Sequence, residues 1–176
     1  MNKFDLQLKS IRMRLVETSD AEFILQLRLN ENLNTYLSPV SPNIQQQIEW
    51  LESYKKEEAV GKQFYFIIER ADGIRCGTVR IYDLKGNSFS WGSWILNENK
   101  TRLAAIESAL LVYKFGFNAL ECNQSHFEVM KGNQSVSRFH ERMGAERVSE
   151  DETFYYYTIS KSAVESQRAK LESMLS

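Results

Sequence analysis

The sequence predicts an α/β fold: a single mixed, mostly antiparallel central sheet of about six to seven strands with helices on both faces. Three observations predict it. Strand-like alternation and helical periodicity interleave in the order β α α β β β α β α β β. Three of the strand runs, QFYFIIER (63–70), IRCGTVRIYD (74–83) and SFSWGSWIL (88–96), are separated only by the turn formers Ala71-Asp72-Gly73 and Lys85-Gly86-Asn87. Such spacing predicts an antiparallel meander. Finally, the strand–helix–strand passage through 88–130 makes its two strands parallel if they share a sheet.

Taken in order, IRMRLV (11–16) alternates as a strand, and Thr18, Ser19 and Asp20 offer N-caps for a helix from about 21 to 30. A loop holding both prolines, Pro39 and Pro42, leads to a helix over about 43–59, with Ile44, Ile48 and Leu51 on one face. After the meander, residues 102–119 carry Leu103, Ile106, Leu110, Tyr113 and Phe117 on one side and further apolar residues on most of the rest. That pattern predicts a helix packed on both sides, lying across a sheet. A strand at 124–130 follows, then a helix, then a hairpin of Arg147–Val148, the polar turn SEDE (149–152) and TFYYYTIS (153–160). Residues 1–160 read as one domain, and 161–176 as an amphipathic, weakly anchored helical tail.

The bulk numbers narrow the class. Of 176 residues 43% are hydrophobic and 12% aromatic, enough for a substantial core. Lys plus Arg (22) nearly balances Asp plus Glu (23), without the basic excess of a nucleic-acid binder. No apolar run reaches the roughly 18 residues of a membrane span, and the opening MNKFDLQLKSIRMRL lacks a signal peptide's apolar region. Cys76 and Cys122 have neither the spacing nor the histidine neighbours of a metal site, and two distant cysteines make no disulfide scaffold. The expectation is a cytoplasmic protein with reduced thiols and no metal.

The stretch GNQSVSRFHERMGA (132–145) carries the sharpest question. Asn133 is a suitable N-cap, Gly144 sits where a helix stops, and Val136, Phe139 and Met143 form one apolar stripe. His140 falls on that same inward face, although the chain has only two histidines. The stretch resembles the GCN5-related N-acetyltransferase (GNAT) pattern N-x-x-[AS]-x-x-[LF]-Y-x-[KR]-x-G-[FA]. Asn133, Phe139, Arg142, Gly144 and Ala145 match it, with Val136 at the small position and His140 at the tyrosine position. The order of elements over about 11–160 is similar to that family too.

The resemblance implies acetyl-CoA as cofactor and acetyl transfer to an amine. It puts His140 where a proton donor eases departure of the thiolate. An imidazole's unperturbed pKa near ~6.5 leaves a protonated fraction, which burial would deplete. The alternative is a helix-face histidine bonding a carbonyl across the core.

The family's phosphate loop, [QR]-x-x-G-x-[GA], corresponds to NENKTRLAAIES (97–108). Two registers fit: Lys100 through Ala105, with Leu103 at a glycine position, or Arg102 through Glu107, with Ala105 at the first glycine. No glycine stands between Gly92 and Gly116, so Lys100, Arg102 and the helix N-terminus are expected to hold the pyrophosphate, against the reading of an ordinary solvated helix start.

The resemblance further implies that backbone groups of Trp94, Ile95 and Leu96, which stand at the corresponding strand end, would hold the pantetheine arm and an oxyanion, with Asn133 also at the cofactor. Trp91 and Trp94 alternate to opposite faces, so that one can be core and the other line an acceptor pocket. Gly92 between them suggests a bulge or a close approach. Trp91 and Tyr82, with Ser90 and Ser93, are candidates for the acceptor. Glu69, Asp83, Glu98 and Glu128 are unranked as general base, and His126 is a further candidate for the site.

Two branches of the family fit: acetyltransferases of nucleotide-linked amino sugars, and ribosomal-protein N-terminal acetyltransferases, whose serine-x-arginine pair resembles Ser137-Arg138. The expected acceptor is a small-molecule amine, with a homodimer left open. A catalytically silent acetyl-CoA-fold binding protein is the reading from another class, motivated by the glycine-free loop and the missing tyrosine.

Overall fold

The computed structural model describes residues 5–173. Among these residues seven strands form one sheet in the order β1-β2-β3-β4-β5-β7-β6. They are β1 Ile11–Leu15, β2 Phe64–Arg70, β3 Arg75–Lys85, β4 Ser88–Leu96, β5 Gln124–Met130, β6 Glu146–Glu150 and β7 Phe154–Ser160. Every pairing is antiparallel except β4 with β5. The meander turns as its glycines require: Gly73 and Gly86 take φ of 87° and 60°, the left-handed region that a side chain disfavours.

Among the described residues five α-helices cover the two faces: α1 Ala21–Leu29, α2 Ile44–Ala59, α3 Ala104–Lys114, α4 Gln134–Arg142 and α5 Lys161–Ser173. One core lies under α3 and gathers Phe66, Val79, Ile81, Phe89, Trp91, Phe127, Val129 and Tyr157 from the strands. A smaller one, of Val16, Ala21, Ile24, Leu51, Tyr54, Tyr65 and Ile67, lies under α1 and α2. Alternation along each strand divides the residues between the two.

Several elements differ from expectation. The long helix leaves the α geometry after Lys114 and runs as a π-helical turn over Phe115–Ala119. There Gly116 abuts Phe89 so closely that a Cβ would stand 2.1 Å from the ring. Asp20 does not spend its carboxylate on capping α1: it accepts both guanidinium NH₂ groups of Arg14 at 2.8 Å, the Glu17 N–H at 2.8 Å and Arg75 at 3.1 Å. Burial works to raise its pKa, but these donors together hold it below the usual carboxylate range.

The final hairpin turns later than SEDE predicts, because β6 runs through Glu150. Asp151 then builds the turn, accepting the N–H groups of Thr153 and Phe154 and the Tyr156 hydroxyl. The tail is also more firmly held than its amphipathic pattern suggests: Val164 is 1% exposed within the α3-side core.

Candidate active site

β4 and β5 pair only at Ser88↔Gln124 and Phe89↔Ser125. Beyond that point β4 keeps its β3 partner, while its other edge has no strand beside it. The result is a slot in the middle of the sheet, lined by backbone N–H and C=O groups that seek partners. Trp94, Ile95 and Leu96, predicted to hold a cofactor arm, lie at its open end.

A bulge shapes that end. Arg80 pairs with Gly92 but Thr78 pairs with Ile95, so Ser93 and Trp94 together stand opposite Val79. Ser93 takes a φ of 48°, and its carbonyl accepts the Thr78 hydroxyl at 3.3 Å. The extra residue cancels the alternation expected for the tryptophans: Trp91 and Trp94 share a face, with ring centroids 5.1 Å apart. Trp91, expected beside the acceptor, is instead core, 4% exposed and edge-on to Tyr113 and Phe127. Trp94 donates its indole N–H to Ser108 at 3.0 Å, pinning the end of β4 to α3.

Gly77 makes this geometry fit. A Cβ there would lie 2.2 Å from the Ile95 carbonyl oxygen, which cannot yield without moving the end of β4. Gly77→Ala is therefore expected to cost about 1–3 kcal/mol, as overpacking does, and to weaken acetyl-CoA binding several-fold. Thermal melts and cofactor titration of the variant check both, and unchanged affinity would separate the end of β4 from the cofactor.

His140 projects from α4 over the start of the slot. Its ring lies 4.3 Å from Phe127, 5.2 Å from Trp91, 5.8 Å from Phe139, 6.1 Å from Trp94 and 6.4 Å from Tyr157, centroid to centroid. It is 4% exposed and its Nδ1 has no hydrogen-bond partner, so it bonds no carbonyl from that atom. Burial among these rings pushes its pKa down to about 3. The expected protonated fraction near neutrality is thus absent, and the imidazole is neutral. Asn133 occupies the N-cap position of α4, yet its side chain makes no cap bond.

At the other end of the slot, α3 begins at Ala104, whose N–H bonds the Thr101 carbonyl at 3.2 Å, with Leu103 in the N-cap position and no side-chain cap, leaving the remaining first-turn N–H groups and the positive end of the dipole to a ligand. Lys100 and Arg102 are exposed beside it, and Ala105 lies half-buried in the first turn. Uncapped helix end, flanking cations and open strand edge fit the pyrophosphate and amide arm of a coenzyme A.

On the α1–α2 face a cleft of about 360 Å³ opens against the bulge. Arg28 of α1, Gln46, Gln47 and Trp50 of α2, Tyr65 of β2, Arg80 of β3, Ser93 and the loop 38–41 line it. Tyr82 lies beneath it, with the Arg80 guanidinium 4.7 Å above the ring and Gly92 leaving room for its hydroxyl. The Tyr36 hydroxyl donates to the Gly132 carbonyl at 3.0 Å, tying the α1–α2 loop to the turn before α4. Composition alone does not mark this cleft, whose residues come from five elements and a loop. The two prolines of its loop and the aromatic residues of α2 were the available signals.

The carboxylates also sort themselves. Glu69 pairs with Arg14 at 2.8 Å and Arg12 at 3.7 Å. Asp83 accepts from His126 at 2.9 Å, which with Lys85 keeps its carboxyl below the usual range; the other nitrogen of His126 meets the Ser88 hydroxyl at 2.6 Å. This chain braces the point where β4 and β5 part. Glu98 and Glu128 are exposed and have no salt-bridge partner among the described residues.

An open sheet parted between two parallel strands, with a bare helix end at one side and an acceptor-sized cleft at the other, defines an acyl-transfer scaffold. The comparisons agree. The acetyltransferase (GNAT) domain model matches residues 10–146. The solved structure of apo FdhC, a nucleotide-linked sugar GNAT, is 51% identical over 95% of this chain and 96% of that one, with a TM-score of 0.89. Spermidine N-acetyltransferase from Vibrio cholerae, in complex with CoA and spermine, is 19% identical over 88% of this chain and 97% of that one, with a TM-score of 0.75. At that identity it supports the fold alone. Comparison with curated proteins returned no match. The chain belongs to the GNAT acetyltransferase family and is an N-acetyltransferase. No helix among its described residues is long and apolar enough to cross a membrane.

Proposed function

We propose that the protein acetylates the primary amine of an anionic small molecule, a nucleotide-linked amino sugar, using acetyl-CoA. The charge of the cleft carries this reading. It is lined by Arg28 and Arg80, neither with a carboxylate partner among the described residues, and by no Asp or Glu. A polyamine would meet like charges there, and a peptide N-terminus would want an acidic wall. A sugar bearing phosphate meets opposite charge and hydroxyl-matching groups in Ser38, Ser41 and Ser93. The 51% identity to a nucleotide-linked sugar GNAT supports the same acceptor.

Acetyl-CoA supplies an activated acyl group whose leaving atom is a sulfur. Lys100, Arg102 and the first turn of α3, with Ala105, would hold its pyrophosphate, and Asn133 would lie beside the arm. Backbone N–H groups of Trp94, Ile95 and Leu96 on the open edge of β4 would steady the arm and the negative charge developing on a carbonyl oxygen. His140, neutral in its aromatic surround, would donate an N–H hydrogen bond toward the leaving sulfur rather than act as an imidazolium acid. Glu98 and Glu128 remain as unpaired carboxylates for the amine's proton. Tyr82 positions Arg80 against the acceptor.

A thermal melt with acetyl-CoA, and with ATP as a phosphate control, tests the cofactor. Saturation at 100 times Kd stabilises by about 2.7 kcal/mol, a shift of roughly 5–11 °C for a chain of this size. No shift at millimolar acetyl-CoA would favour a silent fold. An acceptor panel then decides the substrate: acetylation of spermidine or a peptide amine, but of no nucleotide-linked amino sugar, would overturn the reading.

A further inference from the structure

Six side-chain polar atoms among the described residues are buried without a hydrogen-bond partner, and three of them belong to the lining of one cleft: Arg28 Nε, Arg80 Nε and the Tyr65 hydroxyl. Buried polar groups are normally satisfied, because an orphan gives up its bonds to water and gains none in return. Convergence of half of them on one cavity marks a place where a ligand completes the bonding.

The orphans are held in place. Arg28 is fixed through its terminal nitrogen to the Ser38 carbonyl at 3.0 Å and hydroxyl at 3.2 Å. Arg80 donates to the Gln63 side-chain oxygen at 3.1 Å and lies 4.7 Å from the Tyr82 ring and 5.9 Å from the Trp50 ring. Both guanidiniums are thus anchored by neutral groups, which leaves their charge for an incoming anion. Tyr65 is 2% exposed, so its hydroxyl cannot be turned out to bulk solvent. Trp50, 41% exposed and stacked on Tyr54, offers an indole at the rim. An open aromatic ring beside two cations suits a planar base joined to phosphate.

We propose that this cleft is a nucleoside-diphosphate subsite. Arg28 from α1 and Arg80 from β3 take the two phosphates from opposite walls, Tyr65 donates its hydroxyl to a phosphate or ribose oxygen, and the base stacks on Trp50. The assignment rests on the acceptor reading above and adds that the nucleotide half, not the sugar, is what the cleft grips.

Calorimetric titration of the full chain, without acetyl-CoA, with dTDP, UDP, thymidine and inorganic pyrophosphate tests it. Both diphosphate nucleotides are expected to bind and thymidine is not. Arg80→Gln and Arg28→Gln should each weaken dTDP about tenfold or more, with thermal melts confirming that the variants fold. Trp50→Ala should weaken dTDP while leaving pyrophosphate unchanged. Binding of dTDP no tighter than pyrophosphate, or indifferent to Trp50, would reduce the cleft to a plain anion site and overturn the proposal, as would no nucleotide binding. The acceptor reading fails separately. If a nucleotide-linked amino sugar is acetylated with a KM indifferent to Arg28 and Arg80, the subsite is wrong and the acceptor right. If only other amines are acetylated, the acceptor is wrong whatever dTDP does.

Discussion

Between pH 7 and pH 5 the parent protein is expected to lose about 2 kcal/mol of stability that a His140→Phe variant keeps. Burial pushes the folded-state pKa of His140 down to about 3, whereas the unfolded chain's imidazole titrates near ~6.5. Below that value the unfolded state takes up a proton that the folded state refuses, so the native state weakens as pH falls until its own pKa is passed. At pH 5 the linkage amounts to roughly 2 kcal/mol, or about 4–8 °C in the midpoint. Melts of parent and variant at both pH values isolate the histidine from the carboxylates, which titrate in both chains. Equal pH sensitivity would mean that the ring is not held neutral.

The same variant reads the chemistry. Near pH 7 phenylalanine fills a similar volume among Trp91, Phe127 and Tyr157 and removes an unpartnered nitrogen, so little stability should be lost. Turnover is expected to fall about 10- to 1000-fold if the N–H supports the leaving sulfur, with acetyl-CoA affinity nearly unchanged. Full turnover would remove His140 from the mechanism.

Asp20→Ala carries the largest expected loss of stability. Asp20 is 2% exposed and binds Arg14 with both oxygens, and Arg75 besides. Removing the buried carboxylate leaves two half-exposed guanidiniums without their partner and costs up to about 3–5 kcal/mol, which is roughly 6–20 °C here. Glu69 still holds Arg14, so the lower half of that range is expected. Because the network seats the start of α1, the wall that carries Arg28 should loosen with it. A loss below about 1 kcal/mol would place these charges in the class of solvated surface pairs.

The layout of elements was legible because burial writes itself as periodicity. Alternation marked the meander, the i, i+3, i+4 stripe marked α2 and α3, and Gly73, Gly86 and Gly144 marked turns at which the chain adopts positive φ. Features made by distant residues were not legible. Arg28, Trp50 and Arg80 are ordinary surface types in sequence, and only the packing of α1 and α2 on β2 and β3 brings them to one cleft. His140 was conspicuous, but its neutrality depends on five rings from β4, β5, α4 and β7. The fate of Trp94 was misread for a local reason: positive φ at a serine has no signature of its own, and alternation assumes a strand without an inserted residue.

That insertion has a consequence for how the chain is written. Up to Trp91 the odd-numbered residues of β4 face the α3 side, and from Trp94 onward the even-numbered ones do. Without the bulge the same residues would alternate strictly, turning the second indole through the sheet and reversing every backbone group at the mouth of the slot. The catalytic end of β4 is thus encoded by a count of residues as much as by their identities.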